Sequence, residues 1–232
     1  DCLAISDGAL EAAARALRDG RLVAFPTETV YGLGADACNA DAVAGIFAAK
    51  QRPSFNPLIS HVASIEAAFA LGRATPVAKR LAAAFWPGPM TLILERQTEC
   101  PIARLTSAGL DRIALRVPAN VTARKLLRSF GGPVAAPSAN LSGRISPTRA
   151  EHVLEGLTGR IDIVLDGGRC ESGVESTVVD CSGVAARILR PGGVTRDDIE
   201  ASLAGTGFRL DEAPTPDESE RPVGPGMLAS HY

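Results

Sequence analysis

The feature that most constrains this chain is an alternation of two kinds of segment. Short, almost wholly apolar runs alternate with stretches whose apolar residues recur at helical spacing. The runs at 22–25, 58–62, 90–94, 113–117, 134–136, 161–165, 177–179 and 186–189 have the length of buried strands and are bounded by Gly, Pro or polar clusters. Helix starts are marked between them. Ser6 or Asp7 stands ahead of Leu10, Ala14 and Leu17, with Gly20 closing; Asn39 precedes Val43, Ile46 and Phe47; Thr75 is followed by Pro76. Thr148 with Glu151 predicts a capping box, and a last helix begins near Thr195. Strands interleaved with helices imply one layered α/β domain.

At 232 residues the chain has room for that domain, placed at 1–204, and a short extra segment at 205–232. Residues 211–225 are rich in Pro and acids, which reads as a linker. The apolar share of 46% and charged share of 22% are those of a soluble globular protein. A formal net charge of -2 argues against strong direct nucleic-acid binding. Cys2, Cys38, Cys100, Cys170 and Cys181 include no C-x-x-C pair, and His61, His152 and His231 lie far apart, so neither a disulfide framework nor a zinc spacing is visible. No apolar run reaches membrane-span length and no leader is evident, so no membrane association and a cytoplasmic location are expected. Because the chain opens on Asp1, the natural start is expected to be missing.

Familiar nucleotide and hydrolase signatures are absent from the sequence. There is no G-x-x-x-x-G-K-[ST] loop and no G-x-S-x-G elbow. Gly32 and Gly34 imitate the dinucleotide fingerprint, but Gly32 lies seven residues past Phe25 rather than in a tight turn, and Ser54 stands where an acid is needed. What remains is a set of polar loops next to buried strands, at 26–34, 48–58 and 135–143. Open α/β sheets gather ligands at such ends. Lys50 and Arg52 offer two cations to a polyphosphate, although Lys50 at a helix end would equally complement the helix dipole. Ser138 and Asn140 are small donors that also suit a plain turn. His61 ends an apolar strand, where a satisfied core histidine is the commoner occurrence. Arg116 in an apolar strand needs an anionic partner, either an internal acid or a ligand carboxylate. By chemistry alone these loops imply an anion-binding α/β domain for a nucleotide or a phosphorylated metabolite.

Read together and in order, residues 25–34, 49–58, 86–91, 114–118, 135–140, 146–148, 173–178 and 189–192 resemble the YrdC-like family, over about residues 20 to 195. The resemblance implies a single α/β domain built on a twisted mixed sheet flanked by helices. It further implies an enzyme converting L-threonine, bicarbonate and ATP, with Mg²⁺, to threonylcarbamoyl-AMP and pyrophosphate. The product would serve downstream tRNA threonylcarbamoyl-transfer proteins. The family pattern sets Thr27, His61, Arg116 and Ser176 around threonine, with Arg116 pairing its carboxylate. It sets Lys50, Arg52, Ser54, Ser138, Asn140, Ser146 and Arg190 on the ATP side, Lys50 and Arg52 offsetting charge on pyrophosphate, and it assigns no metal ligands. Residues 225–232 resemble the interdomain linker of a two-domain form, here without the second domain. They are expected to fold over the ligands as a lid, with Tyr232 on the ATP side. Rival readings are a carbamoyltransferase of the same fold and a noncatalytic RNA-binding module.

Overall fold

The computed structural model describes residues 1–211 and 224–225. Its strands are β1 (Cys2–Ala4), β2 (Val23–Pro26), β3 (Tyr31–Asp36), β4 (Ile59–His61), β5 (Met90–Glu95), β6 (Arg112–Arg116), β7 (Val134–Ala135), β8 (Ile163–Asp166), β9 (Thr177–Asp180), β10 (Ala186–Arg190) and β11 (Leu210–Asp211). The helices are α1 (Asp7–Arg18), α2 (Ala40–Lys50), α3 (Ile65–Leu71), α4 (Pro76–Phe85), α5 (Val121–Phe130), α6 (Ala150–Leu157) and α7 (Arg196–Leu203). The strands form one open sheet in the order β1-β8-β2-β3-β7-β4-β6-β5-β9-β10-β11. It is mixed: β4 runs parallel to β6, which runs antiparallel to β5. This is the sheet that the family resemblance implies.

The runs are apolar on both sides because helices cover both faces of the sheet. In β2, Ala24 packs into one core with residues of α2, α4, α6 and α7, while Val23 and Phe25 pack into another with α1 and α5. The helix starts follow the caps read from the sequence at Ser6, Asn39, Thr75 and Thr195, the last with a complete capping box to Asp198. The expected box at Thr148 does not form. Arg149 is the N-cap of α6, without a side-chain bond, so the helix starts one residue beyond the position the box requires; the Thr148 N–H meets His152 Nδ1 and its carbonyl accepts from the Cys170 N–H. α5 escaped the periodicity because only Ala123, Leu126 and Leu127 are buried on a helix otherwise rich in Arg and Lys. The folded sheet also runs past residue 204, since β11 pairs in parallel with β10 and Phe208 packs on the core. Among the described residues no helix is long and apolar enough to cross a membrane.

The glycine pair that imitates a nucleotide fingerprint has a packing role. Residues 31–34, read as part of the 26–34 loop, belong to strand β3, paired antiparallel with β2 so that Val23 faces Gly34 and Phe25 faces Gly32. A Cβ on Gly34 would stand 2.8 Å from the Phe25 ring and 2.9 Å from Val134, so the glycine lets three strands close. Gly34→Ala should therefore destabilise the fold by about 1–3 kcal/mol. Urea denaturation of the variant measures this, and an unchanged midpoint would show that the strands can shift freely.

Candidate active site

The site lies where the β2–β3 turn meets the C-terminal ends of β4 and β6. These two strands are parallel, and His61 and Arg116 are register partners at their ends, which brings an imidazole and a guanidinium side by side. Both are almost fully buried, at 2% and 4% exposure. A charge that deep needs a partner, and it is internal. Arg116 Nη2 donates to Glu28 Oε1 at 2.5 Å and to Thr29 Oγ1 at 3.0 Å, while Nε donates to the Gly88 carbonyl at 3.3 Å. The other Glu28 oxygen accepts from the main-chain N–H groups of Ala119 and Asn120, at 3.0 and 3.3 Å, where α5 begins. Arg116 Nη1 has no partner among the described residues, although the residue lines a cavity.

That cavity is small, about 40 Å³, and Thr27, His61, Arg116, Ser176 and Arg190 contribute to its wall. Thr27 Oγ1 is fixed by Thr29 Oγ1 at 2.8 Å and the Val30 carbonyl at 2.7 Å. Ser176 Oγ meets Thr91 Oγ1 at 2.8 Å and accepts from Arg190 Nη2 at 3.1 Å. His61 Nδ1 is buried without a hydrogen-bond partner. Burial, with the neighbouring Arg116 charge, pushes the His61 pKa down to about 3, so the ring is neutral at physiological pH.

A second cavity, about 270 Å³, adjoins the first and shares Arg52, Ser138 and Glu175 with it. Lys50, Asn56, Asn140, Arg144 and Ser146 are among the other polar residues of its wall. The left-handed Gln51 at the end of α2, with φ 52°, turns the chain so that Arg52 enters this wall. There Arg52 donates to the carbonyls of Asn56 at 3.3 Å and Pro57 at 3.1 Å. Burial lowers its pKa to about 10, with Glu175 opposing the shift and Arg190 adding to it. Lys50 is not the loop-borne cation its position in sequence suggests. It is 1% exposed, and its Nζ donates to the Ser138 carbonyl, to the Asn140 carbonyl at 2.5 Å and to Asn140 Oδ1 at 3.4 Å. It thus clamps the 138–142 loop from beneath. Burial, with the Arg52 charge, lowers the Lys50 pKa to about 7 against the pull of Glu175.

The residues expected around threonine thus line one cavity, and Lys50, Arg52, Ser138, Asn140 and Ser146 line the other. Arg190, expected on the ATP side, lines the smaller cavity and pairs with Glu175 at the shared wall. Ser54 is exposed and lies on neither wall. Pro225 reaches the smaller cavity, whereas residues 226–232, including Tyr232 and most of the expected lid, lie outside the described residues. Sequence reasoning missed Glu28, Glu175, Asn56 and Arg144. Glu28 had one signal, the need of Arg116 for an anion; the others had none that distinguishes them from ordinary loop residues.

The chain is thus an α/β protein whose open mixed sheet gathers two adjoining, cation-bearing cavities at its strand ends. The chain belongs to the Sua5/YciO/YrdC family, whose profile, described as telomere recombination, matches residues 15–192. It is 48% identical over 233 residues to the threonylcarbamoyl-AMP synthase of Bacillus subtilis (strain 168), covering 100% of this chain and 66% of that protein. Against the protein of that name from Pyrococcus abyssi (strain GE5 / Orsay) it is 45% identical over 229 residues, covering 98% and 66%. The crystal structure of P. abyssi Sua5 complexed with L-threonine superposes with a TM-score of 0.92 at 43% identity, covering 100% of this chain and 68% of that one. The chain thus spans 66% of the length of these two curated relatives.

The depressed His61 pKa has a consequence for stability. Its folded value of about 3 lies below the ordinary 6.5, so the contribution is complete above pH 6.5 and is lost as pH falls, when only the unfolded chain takes up the proton. Between pH 6.5 and 5, above most carboxylate titration, the loss should be roughly 1.5 kcal/mol. Urea unfolding at both pH values, compared with His61→Gln, should show this part of the fall missing from the variant. Equal losses in both proteins would mean that His61 is protonated in the fold.

Proposed function

We propose that this chain makes threonylcarbamoyl-AMP from L-threonine, bicarbonate and ATP, releasing pyrophosphate and water. One observation carries the reading: a small cavity holding a buried guanidinium shares a wall with a larger cation-lined one. An amino acid in the first and a triphosphate in the second would meet at Arg52, Ser138 and Glu175. The names of the relatives and the L-threonine complex of the P. abyssi protein support the same substrates.

In this reading Arg116 Nη1, its other donors already engaged, takes the threonine carboxylate. Thr27 and Ser176 supply hydroxyls, and neutral His61 adds no charge to compete with Arg116. The threonine amine and bicarbonate would form the carbamate with loss of water; a carbamate oxygen would then attack the α-phosphorus and pyrophosphate would leave, with Arg52 and Arg144 facing the charge that develops on it. Lys50 acts through the loop it clamps, fixing Ser138 and Asn140 for the phosphate chain. No covalent intermediate with the protein is needed, so catalysis is positioning plus electrostatics. The donors suit an Mg²⁺ that arrives on the nucleotide. Among the described residues no three acidic, His or Cys side chains cluster to cage a metal, and Glu175 is the carboxylate lining both cavities. Such an ion is ordinarily held by phosphates, waters and one or two carboxylates. Glu175 is the residue that would hold such an ion beside the nucleotide, and the ion would offset charge on the leaving pyrophosphate. The labile product would pass in the cytoplasm to tRNA threonylcarbamoyl-transfer proteins.

Mass spectrometry of products from ATP, bicarbonate and single amino acids tests the proposal. Threonylcarbamoyl-AMP should form with L-threonine, and valine should yield about tenfold less or lower still, because it lacks the hydroxyl that a polar cavity wall can hydrogen-bond. Turnover of carbamoyl phosphate without need of threonine would favour a carbamoyltransferase instead. Absence of any nucleotide product would remove the enzymatic reading.

A further inference from the structure

We propose that Glu175 selects metal-complexed polyphosphate over the metal-free form, by holding a fixed negative charge where the phosphate chain must lie. The proposal deepens the nucleotide reading of the larger cavity and rests on it. A cavity built only to attract phosphate would carry cations and neutral donors. This one places a carboxylate on the wall shared by both cavities, the only carboxylate lining either among the described residues. Its place is fixed. One oxygen accepts from Ser146 Oγ at 2.8 Å and the other from Arg190 Nη1, and the Glu175 side chain is 15% exposed. Arg190 in turn is held by the Ser176 carbonyl, with Nη2 at 2.8 Å and Nε at 3.2 Å. The carboxylate therefore cannot swing away without breaking a network that also holds the wall of the smaller cavity.

The charge of Glu175 is felt across the larger cavity, where it favours the protonated forms of Lys50 and Arg52. A bare triphosphate entering there meets like charge at short range in a partly desolvated site. A triphosphate carrying Mg²⁺ meets an extra ligand, since the ion accepts one carboxylate besides phosphate oxygens and water. The same side chain thus opposes one form of the substrate and attracts the other. Specificity of this kind depends as much on the repulsion as on the attraction.

Calorimetric titration of the full chain with inorganic triphosphate, in Mg²⁺ and in chelator, tests this without any turnover. The wild type should prefer the Mg²⁺ complex by about tenfold or more. In Glu175→Gln the ratio should fall towards one, chiefly because metal-free binding tightens, and Glu175→Asp should retain the preference. If Glu175→Gln does not fold, Glu175→Gln combined with Arg190→Met removes both charges of the pair and serves in its place. A wild-type ratio that persists in the Gln variant would reduce Glu175 to a structural partner of Arg190 and overturn the proposal. Equal wild-type affinity for both forms would overturn it too, while leaving the larger cavity as a phosphate site. No binding of either form would overturn both readings.

Discussion

The ion pair between Arg116 and Glu28 is the contact on which the site's architecture depends, because three separate elements meet in it. Arg116 ends β6, Glu28 sits in the β2–β3 turn, and the far oxygen of Glu28 receives the N–H groups of Ala119 and Asn120, which lead into α5. Side-chain exposures of 4% and 9% mean that neither charge has water to fall back on. Such pairs add little net stability compared with apolar packing, yet removing one partner costs about 3–5 kcal/mol because the other charge is left buried. The pair therefore acts mainly as a constraint. It fixes the height of the turn above the sheet, and with it Thr27 and Thr29, and leaves one edge of the guanidinium for a ligand.

The second pair, Arg190 with Glu175, repeats the arrangement at the wall between the cavities. Together they explain how the site keeps several cations close together without a bound anion. Lys50, Arg52, Arg116 and Arg190 all lie at or near the two cavities, and the depressed pKa values of Lys50 and Arg52 record the strain of burial and mutual repulsion. Each cation is held by a different device. Arg116 and Arg190 have carboxylates, Arg52 has the carbonyls of its own loop, and Lys50 has the carbonyls of the loop it supports. A site organised this way holds its charges before any ligand arrives, which is what electrostatic catalysis requires.

Much of the frame was legible in the sequence because it follows from short-range rules. Buried strands announce themselves as apolar runs, and Ser6, Asn39, Thr75 and Thr195 act as caps whatever lies around them. The ordered loop motifs pointed to the family, and with it to several of the side chains that line the two cavities, though not to Glu175, Asn56 or Arg144. Three local readings misled. Residues 31–34 look like the end of a polar loop yet belong to strand β3, since β2 and Val134 pack against their glycines. Thr148 looks like a cap, but α6 starts one residue later, with Arg149 at its N-cap. Lys50 looks like a solvated helix end but is buried under residues 138–142, because only the returning loop supplies the acceptors that its ammonium needs.

By itself, then, the sequence determined the layered α/β plan, most element starts, and which polar residues would reach the strand ends. These depend on spacing and on neighbours within a few positions. Tertiary structure alone decided which charge answers which. Arg116 finds Glu28 across 88 residues, Lys50 finds Asn140 across 90, and Arg190 finds Glu175 across the sheet's last turn. Burial sets the strength of these pairings, and burial arises only when β4, β6 and the β2–β3 turn close on one another. No local pattern could encode that Glu175 would stand between two cavities, because the cavities exist only once the sheet has formed.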